Sequence, residues 1–243
     1  TSIKTKKLNR LSYGLPSSKI FNIQNLKKID SIVDYAINQK MIPGAQVLVS
    51  KDSKIIHEKG YGNFRYSKSN EVTTETMYDL ASLTKILVTT PLIMKLVQEN
   101  KIRINDKIGS LIPRYENSNK SDITIKELLS GYAGLVPWIP FYRETLDNDL
   151  KPSKDLYTFK PEDGFSLKVA PNLYLNESYR DSIFEKVKIS PISDEKAQYS
   201  DLAFLMLQEY IENEYKENLD QIIKTNLFNK ISVNLTYNPT KFI

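Results

Sequence analysis

The chain has 243 residues, of which 40% are hydrophobic and 26% are charged, and its net charge is +5 at neutral pH. It contains no cysteine and a single histidine, which excludes disulfides and thiolate chemistry and leaves too few side chains for a zinc site of the usual type. The lysines are spread along the chain without a nucleic-acid-binding motif, and no apolar run reaches the roughly 20 residues of a membrane-spanning helix. The basic, polar start of the chain lacks the apolar stretch of a signal peptide.

The first part of the chain predicts a helix followed by a β-hairpin. Residues 25–40 carry apolar side chains at helical spacing. The segments 45–50 and 54–60 are rich in apolar and β-branched residues, and the turn formers Asp52 and Ser53 lie between them. We interpret residues 1–24 as an N-terminal extension of a single domain that covers residues 1–243.

A Ser-x-x-Lys tetrad, Ser82 to Lys85, opens an apolar segment that predicts a helix to about residue 100. Residues three apart share a helix face, so the hydroxyl of Ser82 and the amine of Lys85 come within hydrogen-bonding reach. An amine held against a hydroxyl in a partly desolvated site can help to remove its proton, as in the activated nucleophiles of acyl transfer. The apolar neighbours predict that this segment is buried. A second tetrad, Ser193 to Lys196, is packed with charge and predicts an exposed turn or helix start.

The remainder of the chain predicts mostly helices. A capping box at residues 124–127 opens a short helix through residue 129, and later helices are predicted over 178–188, 202–215 and 219–228. Residues 136–175 mix prolines, charges and aromatics without a clear period. This segment predicts an irregular insertion or lid near the site, and a long surface excursion is an equal alternative.

Six motifs, taken in order, resemble the serine β-lactamase and penicillin-binding-protein superfamily, and especially its class C-like, esterase-like branch. They are IPGA (42–45), KGYG (59–62), SLTK (82–85), LVQENKI (96–102), ITIKELLS (123–130) and YSD (199–201). The resemblance implies an α/β (α+β) fold, in which an antiparallel sheet is flanked by helices and joined to a mostly helical region. It implies no cofactor, a small-molecule or peptide substrate, and a periplasmic or exported location.

By the same resemblance, Ser82 is the acylated nucleophile, Lys85 its proton partner and Tyr199 a tyrosine that shares the general-base work. A phenol is a poor base at its ordinary pKa near 10, but a nearby ammonium such as Lys85 favours the phenolate. Asp201 stands where the family usually has asparagine and is our candidate substrate-binding residue. Because an ionised aspartate can only accept hydrogen bonds, Asp201 cannot donate one to a substrate amide oxygen as the family's asparagine can.

The family's last motif, a lysine or histidine followed by a small residue and glycine on a strand of the sheet, is not found in the sequence. We therefore expect that the C-terminal strands of the sheet are missing and that the chain is a truncated domain. Such a chain would lack half of the oxyanion hole, and the loss of one donor costs on the order of 10²–10³ in rate.

A narrower resemblance concerns SLTK (82–85), WIPFY (138–142) and YSDL (199–202). These motifs are similar to those of a β-lactamase-like domain that some bacteria fuse behind a family 3 glycoside hydrolase, an N-acetylglucosaminidase. The resemblance implies a glycosidase domain upstream in the natural chain.

Two functions from different classes follow from these motifs. The first is a serine hydrolase that forms an acyl-enzyme with an amide, peptide or ester, including peptidoglycan peptides in a cell-wall setting. The alternative is a catalytically impaired binding or scaffold module of the same fold. A Ser-His-Asp hydrolase would have to use His57, which lies in a predicted strand among charged residues, and the chain has no Gly-x-Ser-x-Gly elbow.

Overall fold

The computed structural model describes residues 11–16, 21–67 and 70–231. The chain divides into two compact units, Thr1–Asp79 and Leu80–Ile243. Among the described residues, none of the helices is both long enough and apolar enough to cross a membrane. The single domain and the extension over residues 1–24 stay predictions, although the short strand β1 (Ser12–Tyr13) lies within that extension.

The first unit consists of one helix and a three-stranded sheet. Helix α1 (Ile23–Asn38) begins at Asn22, whose side chain accepts a hydrogen bond of 2.8 Å from the backbone N–H of Asn25. Strands β2 (Gly44–Lys51) and β3 (Lys54–Gly62) pair antiparallel, and β1 pairs parallel to β3 on its other side. The turn residues Asp52 and Ser53 both have positive φ, which is typical of a two-residue hairpin loop that follows the sheet twist. The predicted hairpin is confirmed.

The single histidine takes part in a hydrogen-bonded cluster between α1 and β3. The Tyr61 hydroxyl donates to an oxygen of Asp30 at 2.8 Å, and Nε2 of His57 lies 2.9 Å from the same hydroxyl. The Lys59 ammonium donates to the same carboxylate at 2.8 Å. The contacts of Tyr61 and Lys59 with Asp30 tie the helix to the strand, and His57 joins this cluster through the Tyr61 hydroxyl.

The second unit is mostly helical. Its helices are α2 (Thr90–Gln98), α3 (Ile108–Leu111), α4 (Ile125–Ser130), α5 (Ser178–Ile189), α6 (Asp201–Tyr215), α7 (Leu219–Ile223) and α8 (Asn229–Ile231). Single π-helical turns precede α2 at Lys85–Thr89 and α8 at Lys224–Phe228, and 3-10 turns occur at Pro113–Tyr115 and Phe141–Thr145. A second sheet contains the strands β4 (Tyr157–Thr158), β5 (Leu167–Ala170) and β6 (Leu173–Leu175), paired antiparallel in the order β4-β6-β5.

Helix α6 lies at the centre of this unit and packs against α2, α4, α5 and α7. The fully buried side chains that these helices share form one continuous apolar core. They include Leu92, Ile93, Leu96, Leu128, Val187, Leu202, Met206, Leu207, Ile211 and Ile222. The core fixes the start of α6 against the turn that precedes α2, which is where the candidate site lies.

The capping box at the start of α4 is confirmed. The Thr124 hydroxyl accepts from the backbone N–H of Glu127 at 3.2 Å, and the Glu127 carboxylate accepts from the backbone N–H of Thr124 at 2.8 Å. The helix ends at Gly131, whose φ of 71° is in the left-handed region that favours glycine.

Residues 136–175 are more regular than predicted, because they contain a 3-10 turn and all three strands of the second sheet. The short strands lack the long alternating pattern that would have revealed them in the sequence. The lid function of this segment stays a prediction. After Leu175 the described residues add only an isolated bridge between Ile192 and Leu135, and residues 232–243 lie outside the described part.

Candidate active site

Ser82 and Lys85 lie just ahead of α2, and the Lys85 ammonium donates to the Ser82 hydroxyl oxygen at 3.2 Å. The residue before the serine, Ala81, has a φ of 42°. A non-glycine residue in the left-handed region costs about 1–3 kcal/mol, and such strain is found preferentially at functional sites. The π-helical turn that starts at Lys85 is a second local irregularity of a kind that is frequent at such sites.

The prediction that this segment is buried is wrong for one of its faces. Leu83 is 51% exposed and Ile86 is 60% exposed, whereas Val88 is buried. The reason is that α6 packs against one side of this turn, and an apolar composition does not reveal which side is covered. The side chain of Lys85 is on the covered side and is 15% exposed.

The structure brings Tyr199 and Asp201 to the same place. The Lys85 ammonium lies 2.6 Å from a carboxylate oxygen of Asp201 and 5.2 Å from the ring centre of Tyr199. It also lies 5.6 Å from the ring centre of Phe204. All four candidate site residues therefore form one cluster around the lysine.

The start of α6 holds Tyr199 and Asp201 in position. The Ser200 hydroxyl accepts the backbone N–H of Leu202 at 3.1 Å and thereby caps the helix. The same hydroxyl donates to the carbonyl of Val136 at 2.6 Å, and the backbone N–H of Asp201 donates to the carbonyl of Pro137 at 2.8 Å. These bonds join the cap of α6 to the segment after α4.

Electrostatic interactions within the cluster shift two pKa values in opposite directions. Burial acts to lower the pKa of Lys85, but hydrogen bonds to Asp201 and Tyr199 outweigh it and leave this pKa raised. Hydrogen bonds to Ser82 and to Lys85 lower the pKa of Tyr199. At neutral pH Lys85 is therefore an ammonium, and its charge helps to hold the pKa of the Tyr199 phenol below its ordinary value. The effect of Lys85 on Tyr199 was predicted from the sequence, whereas the ion pair that Asp201 forms was not.

Two clefts meet at Lys85. The first, which we name the Tyr199 cleft, has a volume of about 370 Å³. It is lined by Ser82, Lys85, Ile86, Leu128, Leu129, Ser130, Gly131, Tyr132, Ala197, Gln198, Tyr199, Ser200 and Phe204. The nucleophile candidate and the phenol thus open into the same space.

The second, the Trp138 cleft, has a volume of about 320 Å³. It is lined by Ala81, Thr84, Lys85, Thr89, Trp138, Ile139, Phe141, Asp201, Leu202, Phe204, Leu205 and Gln208. This cleft was not predicted from the sequence. Its only signal was the WIPFY motif at residues 138–142, which was noted for the narrower resemblance alone.

The second Ser-x-x-Lys tetrad lies outside this cluster. Ser193 and Lys196 are exposed, and residues 193–196 form no helix. The Ser193 hydroxyl accepts the backbone N–H of Glu195 at 3.1 Å, which is a local turn contact. The prediction of an exposed turn is confirmed.

Known proteins resemble this chain in sequence and in fold. A protein-family model described as Beta-lactamase matches residues 29–240. Protein flp of Staphylococcus aureus (strain MW2) is 28% identical over 200 residues, which are 81% of this chain and 35% of flp. A putative D-alanyl-D-alanine carboxypeptidase of Escherichia coli (strain K12) is 25% identical over 255 residues, covering 98% of this chain and 53% of that protein.

Among solved structures, the octameric penicillin-binding protein homologue from Pyrococcus abyssi has a TM-score of 0.63 at 20% identity, covering 88% of this chain and 44% of that one. This likeness bears on the fold and confirms the predicted β-lactamase-like architecture. The chain spans about a third to a half of the length of the curated relatives named above. The glycosidase fusion stays a prediction.

Proposed function

The chain belongs to the beta-lactamase family, and from that premise we propose that it is a serine hydrolase that forms an acyl-enzyme at Ser82. One observation carries the proposal. The Ser82 hydroxyl, the Lys85 ammonium, the Tyr199 phenol and the Asp201 carboxylate form one interacting cluster at the junction of two clefts. In the proposed reaction these residues supply the nucleophile, the base and the orienting group that covalent acyl transfer requires.

Tyr199 is the general base in this mechanism. The Lys85 ammonium donates to the Ser82 oxygen, so the hydroxyl proton of the serine is free to point at the phenolate. As the Ser82 oxygen attacks the carbonyl carbon of an ester or amide, the proton passes to Tyr199. The resulting phenol protonates the leaving group as its bond to the carbonyl carbon breaks, and this leaves the acyl-enzyme. Tyr199 then takes a proton from the water that attacks the acyl carbon and returns it to the Ser82 oxygen as the acyl–serine bond breaks.

Lys85 acts as a fixed positive charge. Its pKa is raised, so the amine is charged at neutral pH before the substrate binds, and in this mechanism it stabilises the phenolate of Tyr199 instead of taking the serine proton itself. Asp201 holds that ammonium in place at 2.6 Å. We propose amides, peptides and esters as substrates, with peptidoglycan peptides suggested by the carboxypeptidase relative.

The Lys85–Asp201 pair also favours a second candidate function. If the phenolate is not formed at working pH, the charged lysine leaves the serine without a base. The chain would then be a binding or scaffold module of the same fold. The two functions differ in whether Ser82 becomes acylated.

The test is the intact mass of the denatured protein after exposure to a fluorophosphonate and, separately, to a penicillin. We expect a single adduct that maps to Ser82 and is lost in Ser82→Ala. The matched control is Ser193→Ala, which removes the exposed serine of the second tetrad and should keep the adduct. Labelling that persists in Ser82→Ala would contradict the assignment, and a wild-type chain that neither probe labels would favour the binding module.

A further inference from the structure

The Trp138 cleft has a chemical character of its own. Most of its lining residues are apolar, and its aromatic side chains belong to Trp138, Phe141 and Phe204. Among the described residues that line it, the charged ones are Lys85 and Asp201, which neutralise each other across 2.6 Å. Trp138 is 55% exposed, so a large apolar surface borders the reactive cluster and is left open by the part of the chain that the structure describes.

The apolar wall of this cleft is held rigidly. The carbonyl of Pro137, the residue before the tryptophan, accepts the backbone N–H of Asp201 at 2.8 Å. The carbonyl of Phe141 accepts the hydroxyl of Tyr179, from helix α5, at 2.5 Å. A wall that is anchored to two helices is organised before a ligand arrives, which reduces the entropy lost on binding.

The transfer of the proton from Ser82 through Tyr199 to the leaving group indicates which part of a substrate can occupy each cleft. Tyr199 must reach the leaving group to protonate it, and Tyr199 lines the other cleft. The leaving group is therefore expected on the Tyr199 side of Ser82. Ser82 itself lines the Tyr199 cleft and not the Trp138 cleft, so an acyl group on Ser82 reaches the Trp138 cleft by passing Lys85, which lines both.

We infer that the Trp138 cleft is the acyl subsite of the enzyme and selects esters or amides of apolar acids, with Trp138 as the main specificity-determining residue. The inference rests on the proposed function, because it uses the attack by Ser82 to orient the substrate. Burial of one methylene group favours binding by about fourfold. Acyl chains of four to six carbons are therefore preferred over acetyl.

The kinetic test compares kcat/KM for p-nitrophenyl acetate, butyrate and hexanoate. The wild-type ratio of hexanoate to acetate is expected to be about tenfold or more. Trp138→Ala should reduce this ratio to within about twofold of unity, and Trp138→Phe should restore most of it. Tyr142→Ala is the matched control, because Tyr142 is an equally exposed aromatic residue (56%) in the same segment that does not line the cleft, and its ratio should equal that of the wild type.

A binding test does not depend on catalysis. Trp138 is the single tryptophan of the chain, so its fluorescence reports on this cleft alone. In Ser82→Ala, which cannot form the acyl-enzyme, methyl hexanoate should change the emission saturably and at lower concentration than methyl butyrate, with methyl acetate weakest.

The two tests separate failure of the subsite from failure of the proposed function. A wild-type enzyme that is acylated at Ser82 but shows no chain-length dependence would overturn the subsite and leave the hydrolase intact. A chain that is never acylated would overturn the hydrolase, and the fluorescence titration would then support or refute the apolar site by itself. Equal ratios in the wild type and Trp138→Ala would also overturn the role of the tryptophan.

Discussion

Asp201 stands where the family motif usually has asparagine. In the structure its carboxylate forms an ion pair with Lys85. The ion pair is only partly shielded, because the Asp201 side chain is about half exposed. Its main effect is on the protonation of its neighbours. It raises the pKa of Lys85, and its negative charge also acts to raise the pKa of Tyr199.

Asp201→Asn should therefore shift the pH dependence of Ser82 labelling to lower pH. Without the carboxylate, Lys85 loses the interaction that raises its pKa. The ammonium is therefore lost at lower pH, and the alkaline limb of the pH profile of labelling shifts to lower pH. Tyr199 loses a negative neighbour, so its phenolate forms at lower pH and the acidic limb moves down as well. The measurement is the rate of fluorophosphonate labelling from acidic to alkaline pH.

The matched control for this substitution is Asp194→Asn, which removes an exposed carboxylate in the second tetrad. Its profile should coincide with that of the wild type. A profile of Asp201→Asn that does not move would show that the ion pair has no influence on the reacting groups.

At the scale of elements, a buried lysine from another segment, Lys120, contacts the C-terminal end of helix α5. Lys120 is fully buried, and its ammonium donates to the carbonyls of Lys188 and Ser190 at 3.0 and 2.6 Å and to the side-chain oxygen of Asn119 at 2.9 Å. Positive charge is favoured at a helix C-terminus, but burial lowers the pKa of Lys120 to about 8. The ammonium of Lys120 thus supplies hydrogen bonds to carbonyl groups at the end of the helix, although its burial disfavours the charged form.

The stability of the wild type should therefore rise with pH relative to that of Lys120→Met. Below pH 8 the lysine is protonated in both states, so its titration adds no pH dependence. Between pH 8 and the unfolded pKa of about 10.4, the unfolded chain binds more protons, and the free energy of unfolding increases by about 1–3 kcal/mol. Urea unfolding of both proteins at pH 7.5 and 10 measures the difference.

Lys126→Met is the control for this measurement, because Lys126 is exposed on α4. It should follow the wild type across the same range. If the difference between the wild type and Lys120→Met does not change with pH, the lysine keeps an ordinary pKa in the folded protein.

The elements predicted correctly from the sequence are those that depend on contacts between residues close together in the chain. The capping box of α4 and the turn of the β2–β3 hairpin depend on neighbouring residues, and both were predicted. The π-helical turn at Lys85–Thr89 was not, since an apolar pattern does not distinguish it from an α-helix. The Lys85–Asp201 pair was not predicted either, because it forms only when α6 packs beside α2.

At the scale of the whole molecule, all described residues of the candidate site and both clefts belong to the unit Leu80–Ile243. The family was evident from six motifs that occur in the expected order along the chain. A single Ser-x-x-Lys tetrad would not have been specific enough to identify it. The clefts were not evident from the sequence, because residues distant in the sequence build them together, as in the Trp138 cleft.

The most direct measurement of the central claim is the intact mass of the chain, quenched in acid at short times after mixing with p-nitrophenyl butyrate. Unlike an inhibitor, this ester tests the whole cycle. We predict that the mass of one butyryl group appears on Ser82 during turnover, disappears when the ester is exhausted, and never appears in Ser82→Ala. Release of p-nitrophenol without any acylated Ser82, or with the acyl group on another residue, would contradict the account.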